Sequence, residues 1–151
     1  MGVKNKTPID VVKLFLKLQS LDEESGDVIT NLKAQKLLYY AQGVSLAKTG
    51  KPLFSNDFVA WQHGPVIPKT YSELKDFGRN QIMFKDEVDV SLFEEEELNI
   101  LVSVYKTFGQ YSAWKLRDMT HSESPWRDVE INEIITKESI RSYFSERYAR
   151  I

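Results

Sequence analysis

The chain of 151 residues contains no cysteine and little glycine or proline, with seven and five residues respectively. Without cysteine there is no disulfide scaffold, thiol nucleophile, iron–sulfur cluster or cysteine-type zinc site, and the composition fits a reducing compartment such as the cytoplasm. The scarcity of glycine and proline excludes long linkers and low-complexity segments. We therefore predict a cytoplasmic protein in which residues 1–151 form a single domain around one core.

Long apolar runs and a strong net charge are also absent. The longest apolar run, residues 37–41, has five residues, whereas a membrane span needs about 20. Twenty lysines and arginines stand against 22 aspartates and glutamates, which gives a net charge of −2. This balance argues against a protein whose affinity depends on neutralising many phosphates. We predict no membrane segment and no dominant electrostatic partner.

The usual sequence signatures of catalysis are missing. His63 and His121 are the only histidines, whereas a zinc ion needs three or four protein ligands in fixed geometry. The sequence contains no H-E-x-x-H, G-x-S-x-G, G-x-x-x-x-G-K-[ST] or G-x-G-x-x-G motif. We predict that the protein is not an enzyme and binds neither a metal nor a cofactor.

Helix caps and hydrophobic periodicity predict a mainly α fold of about six helices. Thr7, followed by Pro8 and Asp10, is typical of a helix start, and Thr30 caps a second helix. Because residues 32–47 place apolar side chains at nearly every angle, this second helix is predicted to lie at the centre of the fold. Further helices are predicted over residues 68–76, from a Ser91–Glu94 capping box to Gly109, over residues 113–119, and after Thr136.

The stretch between the second and third helices has a different pattern. Residues 53–68 combine aromatic and β-branched side chains with turn signals at Asn56-Asp57 and Gly64-Pro65, which predicts a small β-hairpin or extended element. Residues 81–90 are consistent with either a short strand pair or a long loop.

Two loop-like segments combine histidine, proline and tryptophan: residues 61–65 and residues 120–126. In one interpretation Trp61 and Trp126 fill the core and each histidine bonds a neighbouring backbone carbonyl. In the other, the same residues form a binding surface, because tryptophan and tyrosine are enriched at interface hot spots and a proline-containing loop presents them at low entropic cost. The residues by themselves leave both interpretations open.

Several ordered motifs together resemble the Panacea domain, the antitoxin domain of SocA-like antitoxins and of GepA-type phage-associated proteins. The resemblance covers about residues 7–148. Its motifs are Lys36-Leu-Leu-Tyr-Tyr-Ala-Gln-Gly43, Gly50-Lys-Pro-Leu-Phe54, Ala60-Trp-Gln-His-Gly-Pro-Val66 with Tyr71, Thr120-His121, Pro125-Trp126 and Tyr143-Phe144.

The resemblance implies a bacterial or prophage antitoxin that neutralises a cognate toxin by direct binding, without catalysis of its own. It also implies a second activity, that of a proteolytic adaptor delivering the toxin to a ClpXP-type protease, although no residue in the sequence locates that activity. The identity of the toxin and any homo-oligomeric state are left open.

On this basis we expect one partner-binding surface on the protein. The residues expected to line or support it are Trp61, His63, Tyr71, His121 and Trp126. Lys36 and Gln42 of the central helix are expected to serve as polar supports beneath it, because polar side chains on a buried helix must find partners.

The alternative function is a DNA-binding transcriptional regulator of winged-helix type. The helix after Thr30 would be its recognition helix, with a basic stripe made of Lys33, Lys36, Lys48 and Lys51. The succession of apolar residues 37–40 and the isoelectric point of about 5.8 weigh against nucleic acid as a partner, because a recognition helix exposes a polar and basic face.

Overall fold

A computed structural model describes residues 5–25 and 27–151. These residues form seven α-helices and a three-stranded antiparallel sheet, so the predicted mainly α fold with a small β element is confirmed. The helices are α1 Pro8–Leu21, α2 Asn31–Thr49, α3 Pro68–Leu74, α4 Glu95–Phe108, α5 Ala113–His121, α6 Ser124–Arg127 and α7 Lys137–Arg147. The strands are β1 Phe58–Trp61, β2 Gly64–Val66 and β3 Ile134–Ile135.

The predicted cap of α1 is confirmed by its hydrogen bonds. The Thr7 hydroxyl accepts from the backbone N–H of Asp10 at 3.3 Å, and the Asp10 carboxylate accepts from the Thr7 N–H at 2.8 Å. These two bonds satisfy amides that have no partner within the helix. The helix buries Val11, Val12 and Phe15.

Helix α2 is the centre of the fold, as its apolar periodicity predicts. Every residue from 33 to 46 is buried, and the helix packs against α1, α4, α5, α7 and β2. Lys33 and Lys36 are only 2% and 0% exposed, so they cannot reach a DNA groove. The exposed basic face that a recognition helix needs is therefore absent from α2.

Two details of the helix prediction are wrong. Helix α4 is capped by Glu94, whose N–H donates to the Glu97 carboxylate at 2.8 Å, whereas Ser91 lies in a short 3-10 helix, Val90–Leu92. The seventh helix, α6, is a single turn where the sequence pattern predicts only a turn. Pro125 in the first turn of α6 favours the helical geometry there, because its fixed φ suits that position.

The sheet has the strand order β2-β1-β3. In the predicted hairpin, Val59 pairs with Val66 and Trp61 with Gly64. Strand β3 adds to the other edge of β1 and has only two residues, too few for a recognisable period. Residues 81–89 contain no strand; they form a loop tied to the core by the Ile82 N–H, which donates to the Ile29 carbonyl at 3.0 Å.

Gly43 of α2 faces the ring of Phe144 from α7, and we expect Gly43→Ala to destabilise the protein. A Cβ atom at this position would lie 2.5 Å from two ring carbons of Phe144, which is itself fully buried. The overlap should cost about 1–3 kcal/mol of unfolding free energy, against a gain of about 1 kcal/mol from alanine's helix propensity. Urea unfolding measures the net loss. In a Phe144→Leu background the same substitution should cost less, and an equal cost there would contradict the steric explanation.

No helix in the described parts of the chain is both long enough and apolar enough to cross a membrane.

Candidate partner-binding site

A cavity of about 890 Å³ opens on the side of the fold where the hairpin meets the start of α2. Helix α3 with the turn after it, the start of α5 and the residues before β3 complete its walls. Most of the exposed area of its wall is apolar, and Val28, Trp61, His63, Tyr71, Trp114 and Ile131 are among the side chains that line it. Its volume lies in the upper part of the range for ligand sites, about 300–1,000 Å³.

The alternation of β1 directs Trp61 to the cavity side of the sheet. Phe58 and Ala60 of the same strand are 1% and 0% exposed and belong to the core, so Trp61 projects from the opposite face. Its ring meets the ring of Tyr71 edge-on, with centroids 5.2 Å apart. Helix α3 is held in place by the Asn31 side-chain amide, which donates to the Tyr71 carbonyl at 3.0 Å. The two rings thus form one wall.

His63 lies at the tip of the hairpin and is bonded to α5. The Arg117 Nε–H donates to Nδ1 of His63 at 3.1 Å. The His63 ring packs edge-on against Trp114 at 5.5 Å, and the Arg117 guanidinium lies 5.3 Å from the centre of the Trp114 ring. These contacts connect the hairpin tip to the opposite wall of the cavity.

His121 and Trp126 form a second layer behind the hairpin. Their rings stack with centroids 4.0 Å apart, and the Trp126 indole N–H donates to the Trp61 carbonyl at 2.8 Å. Burial, reinforced by the nearby cations of Arg117 and Lys36, lowers the pKa of His121 and favours its neutral ring. Neither ring lines the cavity. This segment therefore forms a structural corner that holds Trp61 in position.

Lys36 lies beneath the hairpin and is fully buried. Its ammonium donates to the Pro65 carbonyl at 2.8 Å, and burial, with a further contribution from Arg117, lowers its pKa to about 7. Gln42 is about 9 Å further along α2, and its side chain bonds the backbone of residues 53–54 rather than the hairpin. It donates to the Phe54 carbonyl at 2.9 Å and accepts from the Leu53 N–H at 2.8 Å, which fixes the chain before β1.

Trp114 is a cavity residue that the sequence patterns do not single out. Its side chain is 58% exposed, and it stands two residues after the cap of α5 without a motif around it. Eight large apolar side chains are exposed in the described residues, and four of them line this cavity: Val28, Tyr71, Trp114 and Ile131. Half of the large exposed apolar side chains in the described residues therefore face this one cavity.

A buried carboxylate, Glu123, is a second feature that sequence reasoning misses. It is 2% exposed and accepts hydrogen bonds from the hydroxyls of Tyr39 at 3.0 Å, Tyr40 at 3.1 Å and Tyr148 at 2.5 Å. Burial raises the pKa of Glu123 although the three bonds act in the opposite direction. The network joins α2, the turn before α6 and the C-terminal end of α7.

Within residues 5–25 and 27–151, no group of three or more histidines, aspartates and glutamates is arranged to hold a metal ion.

Comparison with known proteins identifies a family and a curated relative. Residues 34–127 match the family model described as Antitoxin SocA-like, Panacea domain, and this segment contains Trp61, His63, Tyr71 and Trp114. The chain is also similar to Antitoxin SocA of Caulobacter vibrioides, with 35% identity over 109 residues, which is 65% of this chain and 58% of that protein. The match thus spans little more than half the length of this curated relative. No solved structure matches the chain.

Proposed function

Because the chain belongs to the family of SocA-like antitoxins with a Panacea domain, we propose that it is a cytoplasmic antitoxin that neutralises a partner toxin by direct binding. The observation that carries the proposal is the cavity whose aromatic walls, Trp61, Tyr71 and Trp114, all lie within the family segment. Aromatic side chains in a preformed concave site are the usual anchors of protein recognition.

The proposal is tested by co-expression with the protein encoded by the adjacent reading frame. If that protein is the toxin, its expression alone should stop growth, and co-expression of this chain should restore it. A purified complex of the two proteins should also form without added factors. Growth arrest that persists although the two proteins are equally abundant would contradict neutralisation of that toxin.

We expect alanine at Tyr71 or Trp114 to weaken toxin binding by about 2 kcal/mol each, or roughly 30-fold in Kd, because each substitution removes an aromatic anchor from the cavity wall. Both side chains are partly exposed, so the variants should fold. Isothermal titration calorimetry measures the affinity. Leu21→Ala is the matched control, since Leu21 is 67% exposed but does not line the cavity. Unchanged affinity in both aromatic variants, with native circular dichroism spectra, would contradict this placement of the interface.

A proteolytic adaptor role is the second part of the proposal, and it is supported by the resemblance alone. The toxin should then be degraded faster when this chain is present, but only in cells that contain a ClpXP-type protease. Toxin abundance after translation is blocked measures this directly. Equal half-lives with and without the chain would leave direct binding as the whole function.

A further inference from the structure

The wall of the cavity includes two cations, Lys75 and Arg79, that form no ion pair within the described part of the chain. Both residues are exposed. The lining carboxylate, Asp27, is 3.3 Å from the ammonium of Lys33 and is thereby paired. A local cationic edge therefore stands beside aromatic walls in a chain whose net charge is −2.

We propose that the cavity binds an acidic and apolar segment of the toxin, in which large apolar side chains enter the cavity and flanking carboxylates contact Lys75 and Arg79. This inference rests on the proposed function and specifies the chemistry of the partner. It concerns a polypeptide segment rather than a single side chain, because about 890 Å³ has room for several side chains.

Both the apolar walls and the charge of the cavity favour this occupant. Burial of apolar surface against Trp61, Tyr71 and Trp114 supplies a non-directional driving force, and charge-assisted hydrogen bonds from an unpaired guanidinium and ammonium to carboxylates add orientation. A basic segment would bring like charges together at the edge and would be rejected. Nucleic acid is disfavoured, since its binding depends on contacts with many phosphates and the walls here are mostly apolar.

Charge reversal tests the inference with the complete protein. The double variant Lys75→Glu with Arg79→Glu should bind the toxin at least ten-fold more weakly and should fail to rescue growth. The matched control is Lys48→Glu with Lys51→Glu, which makes the same change in net charge on exposed lysines. Lys48 lies in the last turn of α2 and Lys51 just after it, about 27 Å from the start of the helix at the cavity. The control should bind within two-fold of wild type.

The possible failures can be told apart. If the wild-type chain neutralises the toxin and the Lys75/Arg79 double variant does so equally well, the inference is wrong while the proposed function stands. If the wild-type chain neither binds nor neutralises the toxin, the proposed function fails, and the cavity chemistry is decided by the peptides described next.

Three short peptides test the cavity without the toxin: one with the core Glu-Leu-Phe-Glu, one with Lys-Leu-Phe-Lys and one with Glu-Ser-Ser-Glu. Titration at low salt, followed by the fluorescence of the cavity tryptophans, should show binding of the first at least ten-fold tighter than the other two. Equal binding of the lysine peptide, or no binding of the first, overturns the inference. A stable dimer that buries Trp114, seen by size-exclusion chromatography and fluorescence, also overturns it, because a second copy of this chain would then be the occupant.

Discussion

Replacing Glu123 with alanine is expected to lower the free energy of unfolding by about 3–5 kcal/mol, because buried hydroxyl donors lose their acceptor. The substitution removes the shared acceptor of three tyrosine hydroxyls. Tyr39 and Tyr40 are fully buried, so their hydroxyls cannot turn to bulk water, and each unsatisfied donor costs about 1–3 kcal/mol. Chemical denaturation followed by circular dichroism gives the magnitude.

Two controls separate the hydrogen-bond network from simple loss of volume. Glu123→Gln keeps the size and one acceptor oxygen, so its cost should be clearly smaller than that of Glu123→Ala. Tyr148→Phe should be destabilising in the wild-type chain and nearly neutral in the Glu123→Ala background, because the partner is already gone. If Glu123→Ala lowers the free energy of unfolding by less than about 1 kcal/mol, water replaces the carboxylate as acceptor. The hydrogen-bond network would then contribute little to stability.

The network also bears on the cavity. In the sequence, Glu123 lies between His121 and Trp126, whose rings stack behind the hairpin. The Trp126 indole N–H donates to the Trp61 carbonyl. Weakening the turn that carries Glu123 should therefore loosen Trp61, although Glu123 itself does not touch the cavity. Toxin affinity of Glu123→Gln, measured on folded protein, should fall less than that of Tyr71→Ala.

The second large effect concerns the pH dependence of stability set by Lys36. Its pKa is about 7 in the folded protein, against 10.5 for an ordinary lysine. Between these two pH values the unfolded chain binds the proton and the folded chain does not, so stability rises as the pH rises through this window and is lost as the pH falls towards 7. The whole shift corresponds to roughly 5 kcal/mol.

We expect Lys36→Met to remove this dependence. From pH 7 to 9.5, the unfolding free energy of wild type should increase by about 3 kcal/mol relative to that of the variant. Comparison with the variant cancels the titration of other groups, except that of His121, which is coupled to Lys36. Urea unfolding at several pH values gives both curves.

Lys48→Met serves as the control for Lys36→Met, because Lys48 is exposed and belongs to the same helix. Its stability should follow the wild-type pH profile. Parallel pH profiles for wild type and Lys36→Met would show that Lys36 keeps an ordinary affinity for its proton in the fold.

The position of Lys36 gives a physical reason for the glycine of the hairpin motif. Gly64 has φ +113°, and a Cβ atom there would lie 2.8 Å from both Cε of Lys36 and Oγ1 of Thr120. Only glycine allows this backbone conformation without strain while the hairpin lies directly on the lysine. The backbone nitrogen of the adjacent Pro65 carries no hydrogen to donate. The Pro65 carbonyl accepts a hydrogen bond from the Lys36 ammonium.

The residue types of the two segments that contain histidine and tryptophan do not reveal which of them lines the cavity. Trp61, His63 and Tyr71 line the cavity, whereas His121 and Trp126 support it from behind, so the two segments differ in which of their rings reach the cavity. Whether a ring reaches the cavity depends on the side of the sheet that it occupies. That side is fixed by the strand alternation and by the Trp126 bond to the Trp61 carbonyl, and these are tertiary facts.

The sequence by itself determined the features that depend on local interactions. The caps at Thr7, Thr30, Ser112 and Thr136 and the apolar periodicity of α2 act within a few residues, so the helices and the central position of α2 could be predicted. The hairpin followed from its turn residues and β-branched neighbours. The motifs along residues 34–127 likewise sufficed to indicate the family.

Only the tertiary structure decided which polar groups are partners and which aromatic rings meet the cavity. Glu123 is 83 residues from Tyr40 in the chain, and Lys36 is 29 residues from Pro65. Trp114, Val28 and Ile131 come from three separate segments and converge on one cavity. Contacts over such separations depend on how the helices pack around α2, and hydrophobic periodicity specifies the buried face of a helix but not the neighbour that covers it.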